Sequence, residues 1–280
     1  MTATNGAGGE TDIASAAALF ADPTRARVLM ALSDGRALPA SVLAAEAGVT
    51  PQAASAQLAR LQDAGLLAVE RSGRHRYYRL DSPQAVAVLE ALAPLAAAQP
   101  VRSLRQATRA AALRSARTCY DHLAGRLGVQ VTQSLIDHDV LAPADGIPDT
   151  RRRPGDQLSS QLPAHPYVLG AGATVVLTSL GVPADRIADD APSRRPLLRF
   201  CLDWSEQRHH LGGRLGADLL TAFTEAGWIT RAPQHHRAVR LTPAGQSELR
   251  SRLGLDFDPD QVKRETRVIA EHLDGNSSSG

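Results

Sequence analysis

Residues 43–67 read LAAEAGVTPQAASAQLARLQDAGLL, and the fold turns on where this stretch changes period. Its first part, continuing from LPASV, is a short apolar-periodic helix that Gly48 ends. Thr50-Pro51 opens a second helix, with Thr50 as N-cap and Pro51 in the first turn, where a missing N–H costs nothing. Helical spacing puts Ala54, Leu58 and Leu61 on one face and Gln52, Ser55, Gln57 and Arg60 on the other. Gly65 stops the helix. The period then falls to two in LLAVERSGRHRYYRL, with β-rich runs from Leu66 to Arg71 and from His75 to Leu80 around Ser72-Gly73. The tip of this hairpin is basic: Arg71, Arg74, His75 and Arg76.

Upstream, Ile13 to Phe20 has helical periodicity. ADPTRARVLMALSDG follows with Asp22 as N-cap, Pro23 in the first turn, Val28, Leu29 and Leu32 as the apolar stripe, and Gly35 as the stop. Helices joined by a tight turn, then a basic β-ribbon, make a winged helix-turn-helix. A short polar helix face fits the DNA major groove, and a basic hairpin lies along phosphates or in the adjacent minor groove.

Three separated segments, LFADPTRARVLMAL, LAAEAGVTPQAASAQLARLQDAGLL and RSGRHRYYRL, resemble the arsenic-repressor (ArsR/SmtB) family of transcriptional repressors, in the family's order. The resemblance covers residues 11–98, about a third of the chain. It implies a homodimer on operator DNA, joined through the helices from Asp12 to Phe20 and from Pro83 to Ala98. The departures are as informative. Many members carry a Cys-x-Cys metal motif on the helix before the recognition helix, but Leu38 to Ala45 contains no cysteine. Others place Asp and His ligands on the last dimer helix, but Pro83 to Ala98 contains no histidine. Ala56 stands where a larger polar residue is common.

With 43% hydrophobic and 21% charged residues, the composition is that of a globular protein. No run of 18 apolar residues is present, which argues against a transmembrane helix, and MTATNGAGGE lacks the features of a signal peptide. A cytoplasmic location is expected. The net charge of +2 decides nothing; all but one of the 31 basic residues are arginines, as a GC-rich genome also produces. Arg102, Arg105, Arg109, Arg114 and Arg117 recur along VRSLRQATRAAALRSARTCYDHLAG, read as one long connecting helix with a solvated arginine face.

The remainder contains a duplication. His122-Leu-Ala-Gly-Arg-Leu-Gly128 aligns with His210-Leu-Gly-Gly-Arg-Leu-Gly216 at six of seven positions, and each continues into an amphipathic helix. After a loop of variable length, YVLGAGATVVLTSLGV aligns with RLTPAGQSELRSRLGL, pairing Gly172 with Gly245 and Leu180-Gly181 with Leu253-Gly254. Each copy is expected to run helix, amphipathic helix, ribbon, helix: a degenerate winged-helix-like unit serving as scaffold.

Both copies also read Arg-x-Cys-x-Asp, and they hold the only two cysteines, Cys119 and Cys201. Three readings stand side by side. Cys119 with His122, and Cys201 with His209 or His210, supply soft-metal ligands. The two thiols are a redox pair, their pKa values lowered by Arg117 and Arg199. Or both are small buried apolar residues inherited by duplication. The Cys119–Cys201 separation decides: sulfurs below about 4 Å apart permit metal or disulfide chemistry, and beyond about 10 Å a joint site fails.

The expected fold is thus mainly α with short β-hairpins (α+β). The expected organisation is a disordered leader over 1–10 and a DNA-binding and dimerisation domain over 11–98. An Arg-rich connecting helix over 99–118 follows, then a two-repeat module over 119–257 (119–182 and 201–255) and a C-terminal helix and tail over 258–280. The expected function is a DNA-binding transcriptional regulator, a repressor, whose C-terminal module senses a small-molecule or metal effector or stabilises the dimer. The expected DNA-contacting residues are Gln52, Ser55, Gln57, Arg60, Arg74, His75 and Arg76. The competing class is an enzyme or ligand-binding protein with a vestigial winged helix, or an effector-independent DNA binder. No phosphate loop beyond the weak GAGAT, no nucleophile elbow and no HExxH motif supports an enzyme.

Overall fold

The computed structural model describes residues 11–33, 37–72, 75–93, 95–96, 104–156, 160–162, 166–187, 195–231, 237–258, 261 and 264. The chain divides into two compact units, Met1–Leu89 and Glu90–Gly280.

The first unit runs α1 (Ile13–Ala21), α2 (Pro23–Leu32), β1 (Leu38–Pro39), α3 (Ala40–Ala47), α4 (Pro51–Asp63), β2 (Leu67–Ser72), β3 (His75–Leu80) and α5 (Pro83–Leu92). The caps are those the sequence calls for. The Asp22 carboxylate accepts the N–H groups of Thr24 and Arg25, each at 2.9 Å, and Thr50 Oγ1 accepts the Ala53 N–H at 3.3 Å. Gly48 ends α3 at φ 70°, a left-handed conformation that favours glycine. Val28, Leu29, Leu32, Leu43, Leu58, Leu61 and Leu67 form one core with Tyr78 and Leu80. The sheet has strand order β1-β3-β2, all antiparallel. Ser72 pairs with His75, so β2 runs one residue further than expected; residues 73 and 74 lie outside the described residues.

The second unit starts with α6 (Leu104–Ser115), β4 (Arg117–Cys119), β5 (His122–Ala124), α7 (Gly125–Asp137), β6 (Leu141–Pro143), β7 (Ser160–Gln161), β8 (Tyr167–Leu169), α8 (Ala173–Ser179) and α9 (Ala184–Ile187). It continues through β9 (Arg199–Leu202), β10 (His209–Gly212), α10 (Gly213–Glu225), β11 (Ile229–Arg231), β12 (Val239–Leu241) and α11 (Pro243–Leu253). The duplication is visible: β4-β5, α7, β6-β8 and α8 correspond to β9-β10, α10, β11-β12 and α11. Each copy therefore opens with a hairpin, where a helix was expected.

The connecting helix expected over 99–118 stops at Ser115. Arg117–Cys119 is a strand because Tyr120, at φ 57°, turns the chain back onto His122–Ala124. The other edge of that strand is held by residues 237–239: Thr118 N–H donates to Arg237 O at 2.8 Å, and Val239 N–H to Ala116 O at 3.1 Å.

The repeated Gly-Arg-Leu-Gly has two distinct uses. Gly125 and Gly213 start the helices at φ 73° and 72°, with backbone atoms 2.7 Å from where a Cβ would sit. Gly128 and Gly216 lie one turn on. A Cβ there would stand 2.5 Å from Leu123 O and 2.7 Å from Leu211 O, so the helix sits directly on its own hairpin. Leu127, Leu135, Phe200, Leu215, Phe223 and Trp228 belong to the single core of this unit.

Candidate nucleic-acid interface and candidate metal centre

In the first unit α4 presents a small polar face. Ala54, Leu58 and Leu61 are buried, while Gln52, Ser55, Ala56, Ala59 and Arg60 are exposed. Gln57 is not among them. It is half-buried, and its Oε1 accepts from Arg25 Nη1 at 2.7 Å. The same guanidinium donates to Leu19 O at 2.9 Å and Ala18 O at 2.6 Å, so Arg25 ties α1 and α4 to α2. Gln57 thus orients α4, whereas Gln52, Ser55 and Arg60 stay on its exposed face. Ser55 Oγ meanwhile donates back to Pro51 O at 2.8 Å.

On the wing, Arg71 and Arg76 stand directly opposite one another and are exposed. Like charges facing across a strand pair are unfavourable by themselves, and a phosphate between them reverses the sign. Arg79 is different: Glu70 at 3.0 Å and Asp81 at 3.2 Å occupy it. Of the expected wing contacts, Arg76 is placed on the surface, His75 lies at the start of β3, and Arg74 falls outside the described residues.

The second unit brings four of the five expected effector residues together. Cys119, His122, Cys201 and His210 are buried, and one ligand atom from each lies within 4.8 Å of every other. The construction follows from the strands. Cys119 faces His122 across β4-β5, and Cys201 faces His210 across β9-β10. Each hairpin therefore carries one thiol and one imidazole on one face, and the two imidazole rings stack at 5.1 Å. His209 is excluded because successive strand residues point to opposite faces. It joins Tyr167 Oη of β8 at 2.9 Å and Asp156 Oδ2, in the segment between β6 and β7, at 2.7 Å.

Behind the cluster lies charge the sequence had marked but not assigned. Arg117 and Asp203 form an ion pair at 2.8 Å, both almost wholly buried. Asp203 also accepts the Gly125 N–H at 2.6 Å, and its other oxygen accepts the Ser205 N–H at 2.9 Å and the Glu206 N–H at 3.1 Å. It thus caps α7 of the other repeat. Arg117 lies over Trp204, 4.5 Å from the ring centroid. This buried arginine leaves the expected solvated helix face altogether. In the other half, Asp121 pairs with Arg195 and approaches His122 Nδ1 at 3.4 Å.

These surroundings push the two histidines apart. Burial pulls His122 down, but the adjacent Cys119 and Asp121 outweigh it and hold the ring up at about 9. Burial brings His210 down to about 3; Asp203 opposes this, and His122 and Arg117 reinforce it. Burial alone would raise Asp203, but Arg117, His210, Ser205 and the Gly125 N–H hold it well below the usual carboxylate range. Among the described residues, His122 Nε2 and both ring nitrogens of His210 have no hydrogen-bond partner. A buried polar atom left so costs about 1–3 kcal/mol.

The glycines leave room for this arrangement. A Cβ on Gly212 would lie 3.1 Å from the His122 ring, and one on Gly216 would lie 3.1 Å from His122 Cβ. Aromatic residues of the module lie apart from the cluster: Phe223 and Trp228 pack on each other in the core at 5.2 Å, and Tyr120 is exposed.

Residues 20–70 match the family described as "Helix-turn-helix domain". The helix-turn-helix-type transcriptional regulator YdfF of Bacillus subtilis (strain 168) is 39% identical over 235 residues, 84% of this chain and 94% of that protein. Among solved structures, the transcriptional repressor BigR from Xylella fastidiosa is 24% identical, covering 31% of this chain and 89% of its own, with a TM-score of 0.29. NolR from Sinorhizobium fredii is 26% identical, covering 31% and 85%, with a TM-score of 0.28.

Proposed function

We propose that this chain, which belongs to the helix-turn-helix transcriptional regulators and whose first unit resembles the arsenic-repressor family in sequence, binds operator DNA as a homodimeric repressor controlled by its C-terminal module. The observation that carries the DNA contact is the exposed polar face of α4 beside the opposed Arg71 and Arg76 of the wing. Gln52, Ser55 and Arg60 read base edges in the major groove. Arg71, Arg76, and with them Arg74 and His75, lie along phosphate or in the minor groove.

The dimer reading rests on apolar residues of the first and last helices of this unit that are left exposed among the described residues. α1 is apolar yet has no buried residue, and Ile13 is 72% exposed. Val88 and Leu92 on α5, and Leu95 beyond it, are exposed as well. A second copy covers this surface. No helix among the described residues is long and apolar enough to cross a membrane, and we place the regulator in the cytoplasm.

The control reading rests on the Cys119, His122, Cys201 and His210 cluster, whose donors take a soft metal ion or, through the thiols, an oxidant. The effector favours one of two dimer geometries and so changes the spacing of the paired α4 helices. The test is fluorescence anisotropy of the purified chain on duplex from upstream of its own gene, at several salt concentrations. Tight, salt-dependent binding to that duplex over random duplex is expected. Equal affinity for both rejects operator recognition.

A further inference from the structure

We propose that Cys119, His122, Cys201 and His210 bind one tetrahedral zinc-class ion, with two ligands from each repeat, and that this ion joins the two halves of the C-terminal module. The inference names the effector chemistry for the control reading above and rests on it only for the link to DNA. Ion binding itself stands on the geometry.

The first argument is distance. Four donors around zinc, at about 2.3 Å for sulfur and 2.0–2.1 Å for nitrogen, stand roughly 3.3–3.8 Å from one another. The donors here already lie within 4.8 Å of each other, so closure asks for about 1 Å of movement. A Cys119–Cys201 disulfide needs its sulfurs at about 2.05 Å, a larger contraction, and leaves the histidines as they are.

The second argument is what the histidines lack. His122 is 4% exposed and His210 is fully buried, yet among the described residues His122 Nε2 and both His210 nitrogens have no hydrogen-bond partner. A metal supplies one to each ring. The nitrogen on the far side of His122 is the one that approaches Asp121, and His210 Nδ1 lies 3.8 Å from Asp203. A carboxylate thus stands near each ligand histidine, where a small shift on ion binding would let it orient the ring, as carboxylates do at metal sites. The repeated Arg-x-Cys-x-Asp thereby acquires a use for its aspartate in both copies.

The third argument is closure. Two thiolates and two imidazoles in a buried tetrahedron suit zinc over magnesium or calcium, and four protein ligands leave no position for a substrate. The ion therefore acts by holding β4-β5 to β9-β10. Each thiol, and the His122 ring where it is protonated, releases a proton to solvent as the ion binds.

The test uses the full-length chain, stripped with chelator under reducing conditions and then titrated with zinc(II) and, in parallel, cobalt(II). Expected are one zinc per chain by elemental analysis and tetrahedral d–d bands with a sulfur-to-cobalt charge-transfer band. Both thiols should be protected from alkylation by zinc. Cys201→Ser and His210→Gln should lower zinc affinity at least 100-fold, while His209→Gln retains one zinc per chain. If a variant unfolds, the wild-type stoichiometry, spectrum and thiol protection decide. Substoichiometric zinc, octahedral cobalt bands, thiols that stay reactive with zinc present, or a Cys119–Cys201 disulfide in freshly purified protein would each overturn the site. Stoichiometric zinc in a chain that binds no operator leaves the site standing and removes only its regulatory role.

Discussion

Arg117 of the first repeat donates to Asp203 of the second at 2.8 Å, and neither is exposed to solvent. The two copies of Arg-x-Cys-x-Asp are thus crossed, the arginine of one answering the aspartate of the other. The aspartate of the first copy has a different partner: Asp121 pairs with Arg195. Breaking a buried pair from one side costs about 3–5 kcal/mol, because the remaining charge stays buried. Asp203→Ala is therefore expected to destabilise the C-terminal module by that amount in urea denaturation. Arg117→Met added to it should recover part of the loss. A loss under about 1 kcal/mol would mean that water reaches Arg117.

Gly128 and Gly216 lie inside α7 and α10, where Gly→Ala ordinarily stabilises by about 0.5–1 kcal/mol. Here the sign is expected to reverse. An added methyl meets Leu123 O at 2.5 Å in one helix, and Leu211 O at 2.7 Å in the other. Both alanine variants should lower Tm. An unchanged or raised Tm would show that the helices can lift off their hairpins.

On the wing, Arg76→Ala is expected to weaken binding to operator and random duplex alike and to reduce the salt slope by about one unit. Gln52→Ala should instead cost about 1–3 kcal/mol on the operator alone. Gln57→Ala, which releases Arg25, should act through stability of the first unit. An Arg76→Ala chain with the wild-type salt slope would remove the wing from the interface.

Without metal, the C-terminal module is expected to be most stable near neutral pH. His210 is held at about 3 against an ordinary 6.5, so the unfolded chain takes up a proton below about 6.5 that the folded chain refuses. Stability falls as pH drops through that window. Asp203, held below the ordinary 3.8, adds to the loss further down. His122 acts oppositely: its contribution is full below 6.5 and is lost as pH rises through about 9. Tm of chelated protein measured between these limits checks this. A Tm that climbs steadily on acidification would contradict it.

The DNA-binding unit was legible because each of its signals is local. Asp22, Thr50 and Gly48 do at their own positions what their side chains, or the lack of one, dictate. The duplication was legible for the same reason, as spacing along the chain. What stayed hidden is long-range. Nothing near Gln57 in the sequence says that Arg25 occupies it. The strand at Arg117–Cys119 follows an arginine-rich helical pattern, and its partner strand and the edge at residues 237–239 override that pattern. Once the segment is a strand, alternation separates His210 from His209 and sets each cysteine against one histidine. Two-residue periodicity applied to RFCLDWSEQRHHLGG would have favoured His210, but only with the hairpin register known.

We propose that the ion held between the repeats controls operator binding by the first unit. The direct measurement is operator affinity of one preparation, before and after stoichiometric zinc, at fixed salt and reducing conditions. A change of about 5- to 150-fold, the usual range for coupled sites, is expected, and it should be abolished in Cys201→Ser. Identical affinities for the stripped and loaded chain, with one zinc verified per chain, would contradict it.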